Sequence, residues 1–321
     1  MKKRLTRVQR RVPSGLIALT LSLIAVSTLV ACGVTDPVSA VSPAASGAQI
    51  NTGPEQNRIR AQLDPAAAKL VPAAVKNRGS LVVATTGSTP PLSFHATDDR
   101  TVIGSEVDLA QLVADKLGLS LNVQLTSWES WPLKTQSGDY DAVFSNVGIN
   151  AERKKLFDFA PYRAAFMGFL ATTKSNLQIN SAEDISGLKV AVGSGTNQEK
   201  ILLAWNAQLE KEAKKPAELV NFSSASDTLL SLQAGRLDVS LQPYPSAVYQ
   251  QSTSSALKIV GQINAGWPSE TLVAATTAKN NGLVDALSAA INSAIKDGSY
   301  RQVLQRWGLS NEAIPSSTVV R

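Results

Sequence analysis

GDYDAVFSNVGINAERKKLFDF, residues Gly138–Phe159, decides the fold. Gly138 and Asp139 read as a tight turn, and Asp141–Ser145 as a short buried strand. A polar segment, Asn146–Asn150, then opens a basic helical turn over Ala151–Lys155. Ser and Asn ahead of a helix supply capping oxygens, and the Ala, Glu and Arg behind them favour the helix itself. This order brings amides, a hydroxyl and one guanidinium to the C-terminal end of a strand, where open α/β sheets bind ligands. Arg153 could there grip a carboxylate through its planar fork of donors. It could equally sit in a solvated charge cluster with Glu152, Lys154 and Lys155.

The flanking sequence repeats the pattern. Leu81–Thr85 (LVVAT) is an apolar, β-branched run that predicts a core strand, with the loop Thr86–Pro91 after it. His95 follows in a polar stretch and reads as a solvent-facing loop residue. Glu106–Leu117 places Leu109, Leu112, Val113 and Leu117 at helical spacing, with Gly118 as the stop. Leu119–Leu125 alternates as a strand and feeds the loop Thr126–Trp131. Of its two indoles, Trp128 lies nearer the strand end and reads as a flat wall for a ligand, Trp131 as core.

Downstream, Gly168–Thr173 and Leu188–Val192 read as strands. The loop Gly193-Ser194-Gly195-Thr196-Asn197-Gln198 runs from the second of these into a helix over Glu199–Ala213. Strand, Gly-rich loop and helix can form either an ordinary βα turn or a cradle of bare amides for an anion. The Gly-Lys-Ser/Thr ending of a nucleotide loop is missing. Glu218–Phe222, the helix Ala225–Gly235, the strand Asp238–Leu241 and the loop Gln242–Ser246 complete a second βαβ set. Strands at Leu257–Val260 and Ser269–Ala275 precede helices over Gly282–Lys296 and Arg301–Trp307 and a polar tail, Asn311–Arg321. The whole predicts an α/β protein of two lobes. Strand-like crossings near Leu170–Ser175 and Gly266–Leu272 would form a hinge with a cleft between the lobes.

The 321-residue chain carries a formal net charge of +6. Six basic and no acidic residues lie within residues 1–31, leaving 25 of each sign in the remainder, so the basicity is no sign of nucleic-acid binding. That segment has the parts of an export signal: a cationic start, the apolar run Leu16–Val30, then small residues. The run is shorter than the ~20 residues a spanning helix needs. Leu29-Val30-Ala31-Cys32 resembles the lipobox of bacterial lipoproteins, and Cys32 is the only cysteine. Lipidation would explain a thiol with no disulfide partner. Gly33 to about Arg60 is rich in Ala, Ser, Pro, Gly and Thr, lacks aromatics, and reads as a flexible tether. One His and one Cys exclude the usual zinc sites, no Ca²⁺ loop is visible, and no metal or cofactor is implied.

Several blocks fall in order between residues 70 and 312. They are Leu81-Val82-Val83, Gly104-Ser105-Glu106-Val107-Asp108-Leu109-Ala110, Gly138-Asp139-Tyr140-Asp141-Ala142 and Glu152-Arg153-Lys154-Lys155. Further on come Gly235-Arg236-Leu237-Asp238 and Asp297-Gly298-Ser299-Tyr300 with Arg306-Trp307-Gly308. Together they resemble the polar amino-acid family of bacterial extracellular solute-binding proteins. The resemblance implies a two-lobed periplasmic-binding-protein fold that closes on a solute and delivers it to an ABC permease. It implies Arg153 on a ligand carboxylate and Ser145, Asn146 and Gly148 as the lobe-one loop. Thr196, Asn197 and Gln198 correspond to the lobe-two loop, and Trp128 to the aromatic wall.

Two positions depart from the family pattern. Pro243, in Gln242-Pro243-Tyr244-Pro245, stands where the family commonly has an ammonium-binding Asp, and Thr89 replaces a common aromatic. A buried ammonium needs a carboxylate, so Glu106 or Glu270 serves, or the ligand lacks a standard amino group.

The expected organisation is a signal peptide over 1–31, a lipidated tether over 32–63, lobe one over 64–171 and 272–321, and lobe two over 172–271. The expected function is capture of an amino acid or related small carboxylate by a monomer, with no catalysis. The protein would be extracytoplasmic and anchored to the membrane through Cys32. The alternatives are a cyclohexadienyl dehydratase-like enzyme on the same scaffold, or a ligand sensor for a membrane receptor. Against the enzyme, the sequence offers no Ser-His-Asp order and no nucleophile elbow.

Overall fold

The computed structural model describes residues 50–321. Five strands build a first sheet in the order Ser120–Leu125, Ser80–Thr85, Ala142–Val143, Leu272–Ala278, Phe157–Ala164. The first three are parallel, and Leu272–Ala278 runs antiparallel to both its neighbours. A second sheet repeats this plan in the order Glu218–Asn221, Lys189–Val192, Val239–Pro243, Phe166–Thr172, Leu257–Asn264. Again three strands are parallel, and Phe166–Thr172 is antiparallel to both neighbours. Parallel pairs need crossover connections. The helix Ser105–Leu117 supplies one in lobe one and Asn197–Lys211 one in lobe two.

The helix Ser105–Leu117 buries Leu109, Leu112, Val113 and Leu117 at 1–4% exposure. Each such side chain stabilises by roughly 1.5–3 kcal/mol. Its start is a glycine for two reasons. Gly104 has φ +131°, and a Cβ there would sit 2.2 Å from the carbonyl oxygen of Leu92. Gly118, left-handed, ends the helix as expected.

The chain leaves the first sheet at Ala164 and enters the second at Phe166, then returns between Asn264 and Leu272. The first crossing therefore precedes the expected Leu170–Ser175. Phe166–Thr172 pairs on both sides within the second sheet, so residues 166–171 belong to lobe two. The two crossings lie side by side: Ala265 N donates to Ala165 O (3.0 Å) and Ala165 N to Thr271 O (3.3 Å).

The expected tether is corrected over residues 50–63, which lie against lobe one. Arg58 Nε donates to Asp108 (2.9 Å), Arg60 forks onto Asp115 (2.7 and 2.6 Å), and Arg306 reaches the Gln56 side chain (2.8 Å). Ion pairs and amide contacts do here what the missing aromatics cannot. The tail is likewise ordered, with Val320 pairing Phe159 and Glu312 fully buried. His95 is exposed as expected, though it ends the short strand Ser93–His95. The expected loop Gln242–Ser246 is instead the end of a strand and the first turn of the helix Tyr244–Thr253, where Pro245 fits because it needs no amide partner. The expected export signal and the expected lipidation site Cys32 lie outside the described residues.

Candidate functional site

The C-terminal ends of the parallel strands in both lobes open onto one cavity of about 520 Å³. Lobe one contributes Glu106, Trp128, Ser145, Asn146, Gly148 and Arg153 to its wall. Lobe two contributes Thr196, Asn197 and Gln198. All nine residues singled out in the sequence therefore border the same space. Glu270 does not: it is exposed and outside the cavity. Thr89 and Pro243, the departures from the family pattern, are part of the wall, as is the adjoining Gln242.

The segment 146–150 is fixed by the return strand. Ile149 N donates to Leu272 O (3.0 Å), Ala274 N to Val147 O (3.0 Å), and Thr271 Oγ1 to Ile149 O (2.8 Å). Asn150 caps the following helical turn by accepting from Arg153 N (2.9 Å). Arg153, half-buried, lies with its guanidinium carbon 5.2 Å from the ring centre of Trp128 and 5.7 Å from that of Trp131. Its Nη1 donates to Gly148 O (2.8 Å), and its Nη2 crosses the cleft to Gly195 O (3.2 Å). The sequence left open a solvated charge cluster, and the position of Arg153 does not fit one. Its neighbour Glu152 pairs with Lys200 of lobe two, and no carboxylate pairs with Arg153 among the described residues. Burial lowers the Arg153 pKa to about 10, so the group stays cationic at neutral pH.

Across the cleft, Thr196 caps the helix Asn197–Lys211 by accepting from Glu199 N (3.1 Å). Glu199 in turn accepts from Gly195 N (2.7 Å), so that amide is taken by the protein's own carboxylate. The amides of Thr196, Asn197 and Gln198 find no acceptor among the described residues, as befits a helix start. Asn150 Nδ2 donates to Asn197 Oδ1 (2.8 Å), a third tie between the lobes after Arg153–Gly195 and Glu152–Lys200.

Behind the lobe-one wall lies a buried ionic cluster that sequence reasoning missed. Arg163, 1% exposed, pairs with Glu312 (0%) and with Asn146 Oδ1, and its Nη2 stands 3.6 Å from Glu106 Oε1 (1%). The same Glu106 oxygen accepts from Tyr162 Oη and from Asn146 N, both at 2.8 Å. Asn146 adopts φ +53° to make this possible, a conformation Asn tolerates better than most residues. Burial pushes the Glu106 and Glu312 carboxyls up despite the attraction of Arg163. Burial opposes the charge on Arg163, yet Glu312, Tyr162 and Glu106 outweigh it and raise that pKa. The one available signal was an arginine in an otherwise apolar run, FAPYRA.

Comparison with known proteins places the chain by family and fold. Residues 81–310 match the model of the bacterial extracellular solute-binding proteins, family 3. The chain is 30% identical to an L-cystine-binding protein of Escherichia coli strain K12 over 73% of its length and 84% of that protein's. It is 26% identical to an arginine-binding protein of Corynebacterium glutamicum, over 78% and 81%. Among solved structures it is similar to an ancestral arginine-binding protein bound to arginine, with TM-score 0.63, 28% identity, and 72% and 98% coverage. It is also similar to an ancestral amino acid-binding protein, a precursor of cyclohexadienyl dehydratase, with TM-score 0.64, 25% identity, and 73% and 97% coverage.

Proposed function

The chain belongs to the bacterial extracellular solute-binding proteins, family 3, and from that premise we propose that it is the substrate-binding component of an ABC importer. It captures an amino acid or related small carboxylate by hinge closure. The observation that carries this reading is Arg153: a cation against a pair of indoles, bordering a cavity, with no carboxylate of its own among the described residues. A buried charge without a partner is costly, so the site is built for an anion brought by the ligand. The solute docks on lobe one against Arg153 and Trp128, with Ser145, Asn146 and Gly148 alongside. Lobe two then closes, bringing the free amides and side chains of Thr196, Asn197 and Gln198. Closure excludes water, which strengthens every polar contact inside.

We read the protein as a binder and not a catalyst. The cavity has no histidine, and its one deeply buried acid, Glu106, is held by Tyr162 and Asn146. The partner is a membrane permease that receives the solute from a monomer. Lipid attachment at Cys32 would keep the binder beside it.

The test is a thermal-shift screen of the purified protein against the standard L-amino acids and L-cystine. A ligand at 100 times its Kd stabilises the folded form by about 2.7 kcal/mol. A screen in which no member raises the melting temperature contradicts the proposal, as does steady turnover of prephenate or arogenate.

Closure itself is testable at Gly148. A Cβ there would lie 2.7 Å from Asn197 Nδ2, a side chain already engaged by Asn150. Gly148→Ala is expected to weaken binding about tenfold, the lower end of an overpacking penalty, with little change in the melting temperature of the free protein. Calorimetric affinity within twofold of wild type would contradict the closed contact.

A further inference from the structure

Among the described residues that border the cavity, the acids are Glu106 and Glu129, and lobe two contributes no charged side chain. Glu129 is exposed, whereas Glu106 is 1% exposed. Oε1 of Glu106 is occupied by Tyr162, Asn146 and, at longer range, Arg163. Oε2 accepts no hydrogen bond among the described residues, and it is not one of the atoms sealed from solvent without a partner. In a buried side chain that lines the cavity, this leaves Oε2 turned toward the ligand space.

The cluster behind Glu106 sets its charge. Glu106 and Glu312 share the single guanidinium of Arg163, so with both carboxylates ionised the cluster holds one negative charge in excess. Glu312 Oε1 is buried and has no hydrogen-bond partner among the described residues, so no donor compensates the excess at that end. The other groups packed against the cluster, Tyr162 and Tyr300, are neutral donors, and Tyr300 is committed to the Tyr162 carbonyl (2.8 Å). A cation arriving from the cavity side is what the arrangement lacks.

Resting on the solute-binding reading above, we propose that Glu106 Oε2 holds the cationic nitrogen of the ligand, with Arg163 and Glu312 as positioning residues. The cation site thus lies in lobe one, and the lobe-two position where the family places an acid is left to the neutral Gln242 and Pro243. Both charged ends of a zwitterion are then read by lobe one, Arg153 at the carboxylate and Glu106 at the nitrogen. Lobe two adds amides, hydroxyls and shape. Solutes that carry the carboxylate without the nitrogen, such as 2-hydroxy acids, bind poorly.

The experiment compares two probe series by thermal shift and calorimetry: the standard L-amino acids with L-cystine, and the 2-hydroxy acids lactate, malate, 2-hydroxyisocaproate and 3-phenyllactate. Amino acids are expected to stabilise the protein and hydroxy acids not to. Glu106→Gln keeps the shape and an acceptor for Tyr162 and Asn146 and is expected to lose about 30-fold in amino-acid affinity. Glu312→Gln leaves Glu106 in place and removes the excess charge. It is expected to narrow the preference for amino over hydroxy acids at least threefold, a change that loosened packing alone would not produce. Hydroxy acids binding as tightly as amino acids, or Glu106→Gln within threefold of wild type, would overturn the inference while leaving the solute-binding reading intact. No response to either series would overturn both.

Discussion

Arg163→Leu is expected to lower the unfolding free energy by about 3–5 kcal/mol, the cost of breaking a buried ion pair from one side. The leucine fills the space, but Glu106 and Glu312 then face each other's charge in the core with no cation between them. Asn146 also loses the donor on its Oδ1, so the loop behind the cavity loosens with the core. The pH dependence has a definite sign. Both carboxyls lie above their ordinary value of 4.5 in the folded protein, so their contribution is full below that value and fades as pH rises through the folded value. Removing Arg163 raises both further. The deficit of the variant should therefore be smallest in acid and grow toward neutral pH. Adding Glu312→Gln to Arg163→Leu should recover part of the loss, a coupling that a double-mutant cycle by urea denaturation measures. A loss below about 1 kcal/mol, typical of an ordinary surface site, would contradict the picture.

Arg153→Ala is expected to reduce affinity for the cognate solute by about 100- to 1,000-fold, equivalent to losing one side of a desolvated charge pair. Stability should change far less, because Arg153 pairs with no acid and its hydrogen bonds go to the carbonyls of Gly148 and Gly195. Arg153→Lys keeps the charge but loses both the planar fork and the stacking on Trp128 and Trp131, so it should fall between the two. Calorimetry with the solute identified by thermal shift decides the matter. Affinity preserved in Arg153→Ala would remove the anchor of the proposed function.

The sequence was informative where a local rule decides the structure. Apolar runs ending in polar loops located the parallel strands, and Asn150 announced the helical turn it caps, whereas the helix expected from Glu199 starts at Asn197 with Thr196 as its cap. It was silent where distant partners decide. Phe157–Ala164 carries Asp158, Pro161 and Arg163, a poor advertisement for a strand, yet Lys279 neutralises Asp158 (3.1 Å) and Glu312 neutralises Arg163. Glu312 lies 149 residues from Arg163, beyond any window of local reading. The same holds for residues 50–63, whose composition suggests a loose chain until Asp108 and Asp115 are placed beside Arg58 and Arg60. Of the site, the carboxylate end was visible as a motif. The ionic cluster that gives Glu106 its character was visible only once the tail had folded back.

The strap of residues 50–63 has a mechanical consequence. It is stapled to the helix Ser105–Leu117 through Asp108 and Asp115 and to the last helix through Arg306, all within lobe one. Any load arriving from the N-terminal side is handed to that half of the molecule. The other half, joined covalently only through the paired crossings at Ala165 and Ala265–Thr271 and latched across the cleft by side chains at Asn150, Glu152 and Arg153, swings like a gate on a fixed post once those latches release.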